Sequence, residues 1–179
     1  MIKIFKDNNK LLHKRCSPVS MPLSDATKKT LLEMLDYLKA SQNEEYAEKH
    51  HIRAGVGLAA PQIGLLQRMF VIYYEVENKT IQYALVNPKI IATSVKQCFL
   101  NCGEGCLSVD IDHQGFVYRP YKVTIRAYDL LQDKDVEIVA RGYDAIVLQH
   151  EFDHLNGILY YDHIDKTNPF KKIDTAIEI

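Results

Sequence analysis

Between residues 24 and 40 the apolar positions return at helical spacing: Leu31, Leu35 and Leu38 recur among charged neighbours. This spacing predicts a helix from Asp25 to Lys39 with Ser24 as its N-cap. From Met69 onward the rhythm changes. MFVIYYEV, IQYALVNP, PKIIATSV, KVTIRAYDLL and KDVEIVARG are short runs rich in Val, Ile, Thr and Tyr. They read as strands divided by turns at Asn, Asp, Lys and Pro. Strand follows strand there with no helical segment between, so antiparallel pairing is expected. Helical spacing returns over 144-DAIVLQHEFDHLN-156, with Asp144 as candidate N-cap and Gly157 as the residue just past the end. Residues 1–22 show neither period and read as an irregular arm. The charged stretch 41-SQNEEYAEKHHIRA-54 reads as a solvated surface excursion. The order predicts one α+β domain over residues 1–179: mostly antiparallel strands packed around a C-terminal helix, with an N-terminal helix added.

Composition narrows the class. A chain of 179 residues, 47% of them apolar, buries enough surface to fold without a metal or a disulfide. With 25% charged residues and only 8 Gly and 6 Pro, disorder and fibrous repeats are excluded. A formal net charge of −1 gives no global attraction to nucleic acid or anionic lipid, so neither partner is expected. MIKIFKDNNKLLHKRC lacks the apolar stretch of a secretory signal, and no apolar run approaches the ~20 residues that cross a bilayer. A cytoplasmic protein is expected, with Cys16, Cys98, Cys102 and Cys106 as free thiols.

The helix over 144–156 carries the chemistry. His150 and His154 stand four residues apart on one face, where two imidazoles reach a single metal ion. Glu151 is turned about 100° from His150, close enough to meet a water on that metal without binding the metal itself. The bland alternative is a pair of satisfied helix histidines beside a surface Glu. A catalytic site needs a third protein ligand and an open position. Tyr160 stands where an HExxHxxGxxH pattern would place a third His, and the one Glu after His154 is Glu178. The third ligand is therefore sought upstream, and a thiol is the strongest donor there. In 97-QCFLNCGEGCLSV-109, Cys106 stands out because Gly103 and Gly105 let the backbone bend toward a metal. Cys98 and Cys102 read as packing residues in an apolar segment. A three-cysteine cluster is the competing idea, although CxxxCxxxC is not a common iron–sulfur spacing. The segment 55-GVGLAAPQIG-64 lacks the ending of a phosphate loop. It reads either as a glycine turn or as exposed backbone for a substrate, with Gln62 offering an amide donor.

Together these three segments resemble peptide deformylase. GxGxAAxQ is matched by Gly55, Gly57, Ala59, Ala60 and Gln62. EGCLS is matched by Glu104, Gly105, Cys106, Leu107 and Ser108. QHExDHLxG is matched by Gln149, His150, Glu151, Asp153, His154, Leu155 and Gly157. The sequence VDIDHQGFVYR after EGCLS and the insertion near 41–54 are more similar to the type two branch typical of Gram-positive bacteria. The resemblance implies a hydrolase that removes the formyl group from N-formyl-methionine of nascent polypeptides, met near the ribosome exit. The short C-terminal stretch KTNPFKKIDTAIEI argues against docking on the ribosome through a long terminal helix, as other members do. The resemblance further implies that Cys106, His150 and His154 hold the metal and that Cys106 is the one cysteine that does so. It makes Glu151 the proton carrier and gives Gln62 and the Leu107 N–H as donors to the oxyanion. Gly57, Gly105, Val56 and Leu148 fall on the substrate side, and Glu104 paired with Arg119 stands behind the ligands. Donor chemistry alone suggests zinc. The resemblance implies one divalent ion, Fe(II) in the cell, with nickel, cobalt or zinc as substitutes.

Overall fold

The computed structural model describes residues 2–179. The first helix, α1 (Asp25–Ser41), begins as its sequence predicts: the Ser24 side chain accepts the Thr27 N–H at 3.2 Å, satisfying one of the donors that a helix start leaves open. A second, short helix, α2 (Glu44–His50), occupies the charged excursion. Asn43 caps it through Oδ1, and no residue of it is buried. A helix of about two turns with only Tyr46 and Ala47, adjacent to each other, among charged residues carries no apolar stripe to betray it.

Strands β1 (Gly57–Ala59), β2 (Met69–Val76) and β3 (Lys79–Thr93) come next, then β4 (Gln97–Phe99), β5 (Arg119–Pro120), β6 (Lys122–Asp129) and β7 (Lys134–Arg141). Helix α3 (Gly142–His154) and strand β8 (Ile177–Glu178) complete the chain. The main sheet runs β1-β2-β3-β6-β7, antiparallel throughout. A smaller sheet runs β5-β4-β8, with β8 parallel to β4.

The predicted runs IQYALVNP and PKIIATSV form a single strand, β3, rather than two. Asn87 takes φ 51°, and the register to β6 slips between Val86 and Lys89. Pro88 therefore sits in a bulge, where its missing N–H costs no ladder bond.

The apolar run MFVIYY is explained by burial of both sheet faces. Phe70, Ile72 and Tyr74 face a cluster with Ala145, Val147, Leu148 and Leu155 of α3 and its end. Met69 and Val71 face Leu31, Met34, Leu35 and Leu38 of α1. The main sheet is thus held between the two long helices.

Helix α3 starts earlier than predicted. It begins at Gly142, after Arg141 at the N-cap position, so Asp144 lies in the first turn instead of capping it. The Asp144 carboxylate accepts the Tyr74 hydroxyl, which ties α3 to β2. The far end comes earlier than expected, at His154 with Leu155 as C-cap; Gly157 lies in the turn beyond it with φ +73°, where a Cβ would meet the His13 backbone at 2.6 Å. No helix among the described residues is long and apolar enough to cross a membrane.

The sandwich has a stability signature. Phe70, fully buried between sheet and α3, should cost about 3–5 kcal/mol when replaced by Ala, whereas Ser24→Ala should cost about 1 kcal/mol. Urea unfolding measures both. A Phe70→Ala loss no larger than that of Ser24→Ala would contradict the packing described.

Candidate active site

Helix α3 presents its chemical face beside the turn that follows β4. His150 and His154 lie one turn apart, and Cys106 reaches them from that turn. Its sulfur is 3.3 Å from His154 Nε2, and one donor atom from each of the three lies within 4.8 Å of the others. Cys106 and His154 are buried.

This set fits one divalent cation. Donors sharing an ion at roughly 2.0–2.3 Å stand roughly 3.3–3.8 Å apart, and a thiol with two imidazoles suits a borderline metal. Glu151 Oε2 is a buried atom without a hydrogen-bond partner, on a residue that lines the same cavity as Cys106 and His150, which marks a place where a polar group is expected. Burial, and then the neighbouring His150, push the His154 pKa well below its ordinary value. It is therefore neutral, as a ligand must be.

The orientation of His150 is set from behind. Its Nδ1 lies 2.8 Å from Glu104 Oε2, and Arg119 grips both oxygens of the same carboxylate at 2.6 and 3.0 Å. Arg119 also reaches Asp153 at 2.8 Å, and Asp153 meets His163 at 2.7 Å. Burial opposes ionisation of Glu104, but Arg119 and His150 outweigh it and hold the carboxyl down at about 2. Burial likewise works against a charged His150, yet hydrogen bonds to Cys106 and Glu104 carry its pKa well above the ordinary value, so a cation binding at this ring displaces its proton. Such a carboxylate behind a ligating histidine fixes the ring and its tautomer.

Glu151 projects toward β1. A Cβ on Gly57 would fall 2.2 Å from Glu151 Oε1, so only glycine admits the carboxylate there. Burial raises the Glu151 pKa to about 7. Gln62, 1% exposed, is held by the Ala59 N–H on its Oε1 at 2.8 Å. Its amide nitrogen points at Cys106 Sγ (3.6 Å) and Ser108 Oγ (3.1 Å).

A cavity of about 190 Å³ opens in front of these groups. Val56, Gly57, Gln62, Glu104, Gly105, Cys106, Leu107, His150 and Glu151 all line it, as the sequence expects of a site. Leu148 does not. Helical rotation turns it to the opposite side, into the cluster under the sheet. The apolar wall comes instead from Leu100, Tyr143, Ile146 and Val147. Positions 143, 146, 147 and 150 share one helix face, a 3.6-residue period that would have selected them from the sequence. Arg53 was also missed; it stands on the rim, paired with Asp112 at 2.9 Å. Of the remaining thiols Cys98 is buried, as expected of a packing residue, but Cys102 is exposed because it lies in the turn beyond β4. No disulfide forms.

A family model described as polypeptide deformylase matches residues 1–170. The chain is 46% identical over 180 residues to Peptide deformylase 2 of Bacillus subtilis, covering 100% of this chain and 97% of the relative. The identity is also 46% to Peptide deformylase 2 of Geobacillus stearothermophilus, at the same coverage. Among solved structures, peptide deformylase from Thermus thermophilus superposes with TM-score 0.76 at 29% identity, over 94% of this chain and 89% of that one. The Thermotoga maritima enzyme gives 0.71 at 33% identity, over 92% and 98%.

The buried ion pair should be visible in stability. Glu104→Gln leaves Arg119 short of a charge partner and should cost about 3–5 kcal/mol in urea unfolding at pH 6. The Glu104 pKa is depressed on folding from 4.5 to about 2. Its contribution is therefore full above pH 4.5 and is lost as pH falls through 2. The gap between wild type and variant should narrow over that window. A gap that stays constant would contradict the ion pair.

Proposed function

This chain belongs to the polypeptide deformylase family, and from that premise we propose how its residues carry out the reaction. It is a hydrolase that removes the formyl group from the N-terminal formyl-methionine of polypeptides, releasing formate. The observation that carries the mechanistic reading is the convergence of three distant segments: donor atoms of Cys106, His150 and His154 within 4.8 Å of one another, with Gln62 and Glu151 lining the same cavity.

Cys106, His150 and His154 would hold one divalent cation, Fe(II) in the cell, with nickel, cobalt or zinc able to replace it. When bound, such a cation supplies Lewis acidity, lowering the pKa of a water toward ~7 and polarising a carbonyl. Glu151 takes the proton of the attacking water and returns it to the amine nitrogen as the formyl C–N bond breaks. The charge that develops on the formyl oxygen meets the Gln62 amide and the Leu107 N–H, whose donors are fixed before reaction begins. Glu104 and Arg119 keep His150 in place.

β1 is the outer strand of the main sheet, so an extended peptide can lie along it through the backbone of Val56 and Gly57. That course sets the methionine side chain against Ile146, Val147 and Leu100, with Gly105 leaving room for the backbone. Residues 1–179 act as one catalytic domain of the type two branch. The substrates are nascent chains met near the ribosome exit in the cytoplasm, with no nucleic acid or membrane partner.

Two variants test the roles. Glu151→Ala should keep its bound metal while formate release from formyl-Met-Ala falls by roughly 10²–10⁴. Metal analysis and a formate assay on the same preparation decide it; unchanged release would remove Glu151 from the mechanism. Gln62→Leu should lower kcat by roughly 10²–10³. Cleavage of internal bonds in unmodified proteins would instead make the chain an endopeptidase.

A further inference from the structure

The N-terminal arm shows no period in its sequence, yet it is built into the wall of the site. The Phe5 N–H donates to the Gln62 carbonyl at 2.7 Å, and the Asp7 N–H donates to the Ser108 carbonyl at 2.9 Å. The Phe5 ring packs on Gly64, where a Cβ would come within 2.6 Å of it. The arm therefore grips the backbone of both segments that carry the oxyanion donors.

Between these contacts lies Lys6. Its ammonium donates to the Leu107 carbonyl at 3.0 Å and is held by Asp110 at 2.6 Å. The peptide group that offers this carbonyl also carries the Ser108 N–H, which lies 3.4 Å from Cys106 Sγ. In a trans peptide the C=O and N–H point in opposite directions. A cation on the oxygen thus draws electron density away from the N–H and strengthens it as a donor to sulfur. Ser108 is fully buried, so water does not dilute that effect at the sulfur end.

We propose that Lys6 is a positioning residue: through the Leu107–Ser108 peptide it fixes the Ser108 N–H on the Cys106 sulfur and steadies the adjoining Leu107 N–H. The inference rests on the deformylase reading for its catalytic part, but not for its metal-binding part. Lys6 and Asp110 side chains are 41% and 69% exposed, and an exposed pair contributes little to global stability. Function and folding can therefore be separated.

The test compares the full-length wild type, Lys6→Met and Lys6→Arg, prepared metal-free and titrated with Co(II). Lys6→Met should weaken Co(II) binding and lower kcat for formyl-Met-Ala, each by about 10-fold or more. KM should stay close to wild type, and the sulfur-to-cobalt charge-transfer band should move. Lys6→Arg, which keeps a cation on the carbonyl, should restore the affinity and the band. The thermal midpoint of the metal-free proteins should barely change. Wild-type Co(II) affinity and kcat in Lys6→Met would overturn the inference. Equal losses in both variants, accompanied by a lowered thermal midpoint, would also overturn it, since the arm would then merely be undocking. A wild-type chain that binds Co(II) but releases no formate defeats the deformylase reading and leaves the affinity comparison to decide the role of Lys6.

Discussion

One buried guanidinium organises the site. Arg119, 3% exposed, sits between Glu104 and Asp153, and a charge so placed is tolerable only while its partners hold station. Glu104 belongs to the turn that delivers Cys106, and Asp153 belongs to the helix that delivers both histidines. The same ion pair that keeps Arg119 satisfied therefore locks the turn to the helix, and the sulfur to the imidazoles. His150 is oriented by the same carboxylate, because Glu104 Oε2, which Arg119 also holds, accepts its Nδ1 proton.

The second constraint is steric. Gly57 lets Glu151 pass within reach of β1, and β1 is held in turn by its ladder to β2. The Gln42 amide also ties the Gly55 carbonyl to the end of α1 at 2.8 Å. Glu151, the sheet edge and the α1 layer are thus parts of a single packing arrangement. Apolar burial on both sheet faces gives this arrangement its rigidity, which lets a few polar atoms be placed to within fractions of an ångström.

Much of this was legible in the sequence because the relevant signals are local. Ser24 caps its helix through its own side chain, MFVIYY alternates between two buried faces, and positions 150 and 154 share a helix face by geometry alone. Strands β2, β3, β6 and β7 and their antiparallel pairing followed from the runs of Val, Ile and Tyr, whereas β1 lies in the segment read as a glycine turn or exposed backbone. What escaped depends on contacts between distant segments. The bulge at Asn87–Pro88 joins two apparent strands because β6 offers a partner on both sides of it. Helix α2 is fixed by the Asn43 cap rather than by any buried stripe. Leu148 is the exception: two residues from His150 it stands about 200° round the helix, so the helical period alone turns it away from the site and into the cluster under the sheet. The role of residues 5–7 could not be seen at all, since the two backbone bonds that dock them on Gln62 and Ser108 leave no pattern in side-chain type.

The most direct measurement is X-ray absorption at the metal edge of the anaerobically purified protein. One sulfur, two imidazole nitrogens and one exchangeable light-atom neighbour around a single divalent ion is the predicted result, with the sulfur lost in Cys106→Ser. A coordination sphere without sulfur, or one closed by four protein donors, would contradict the site described.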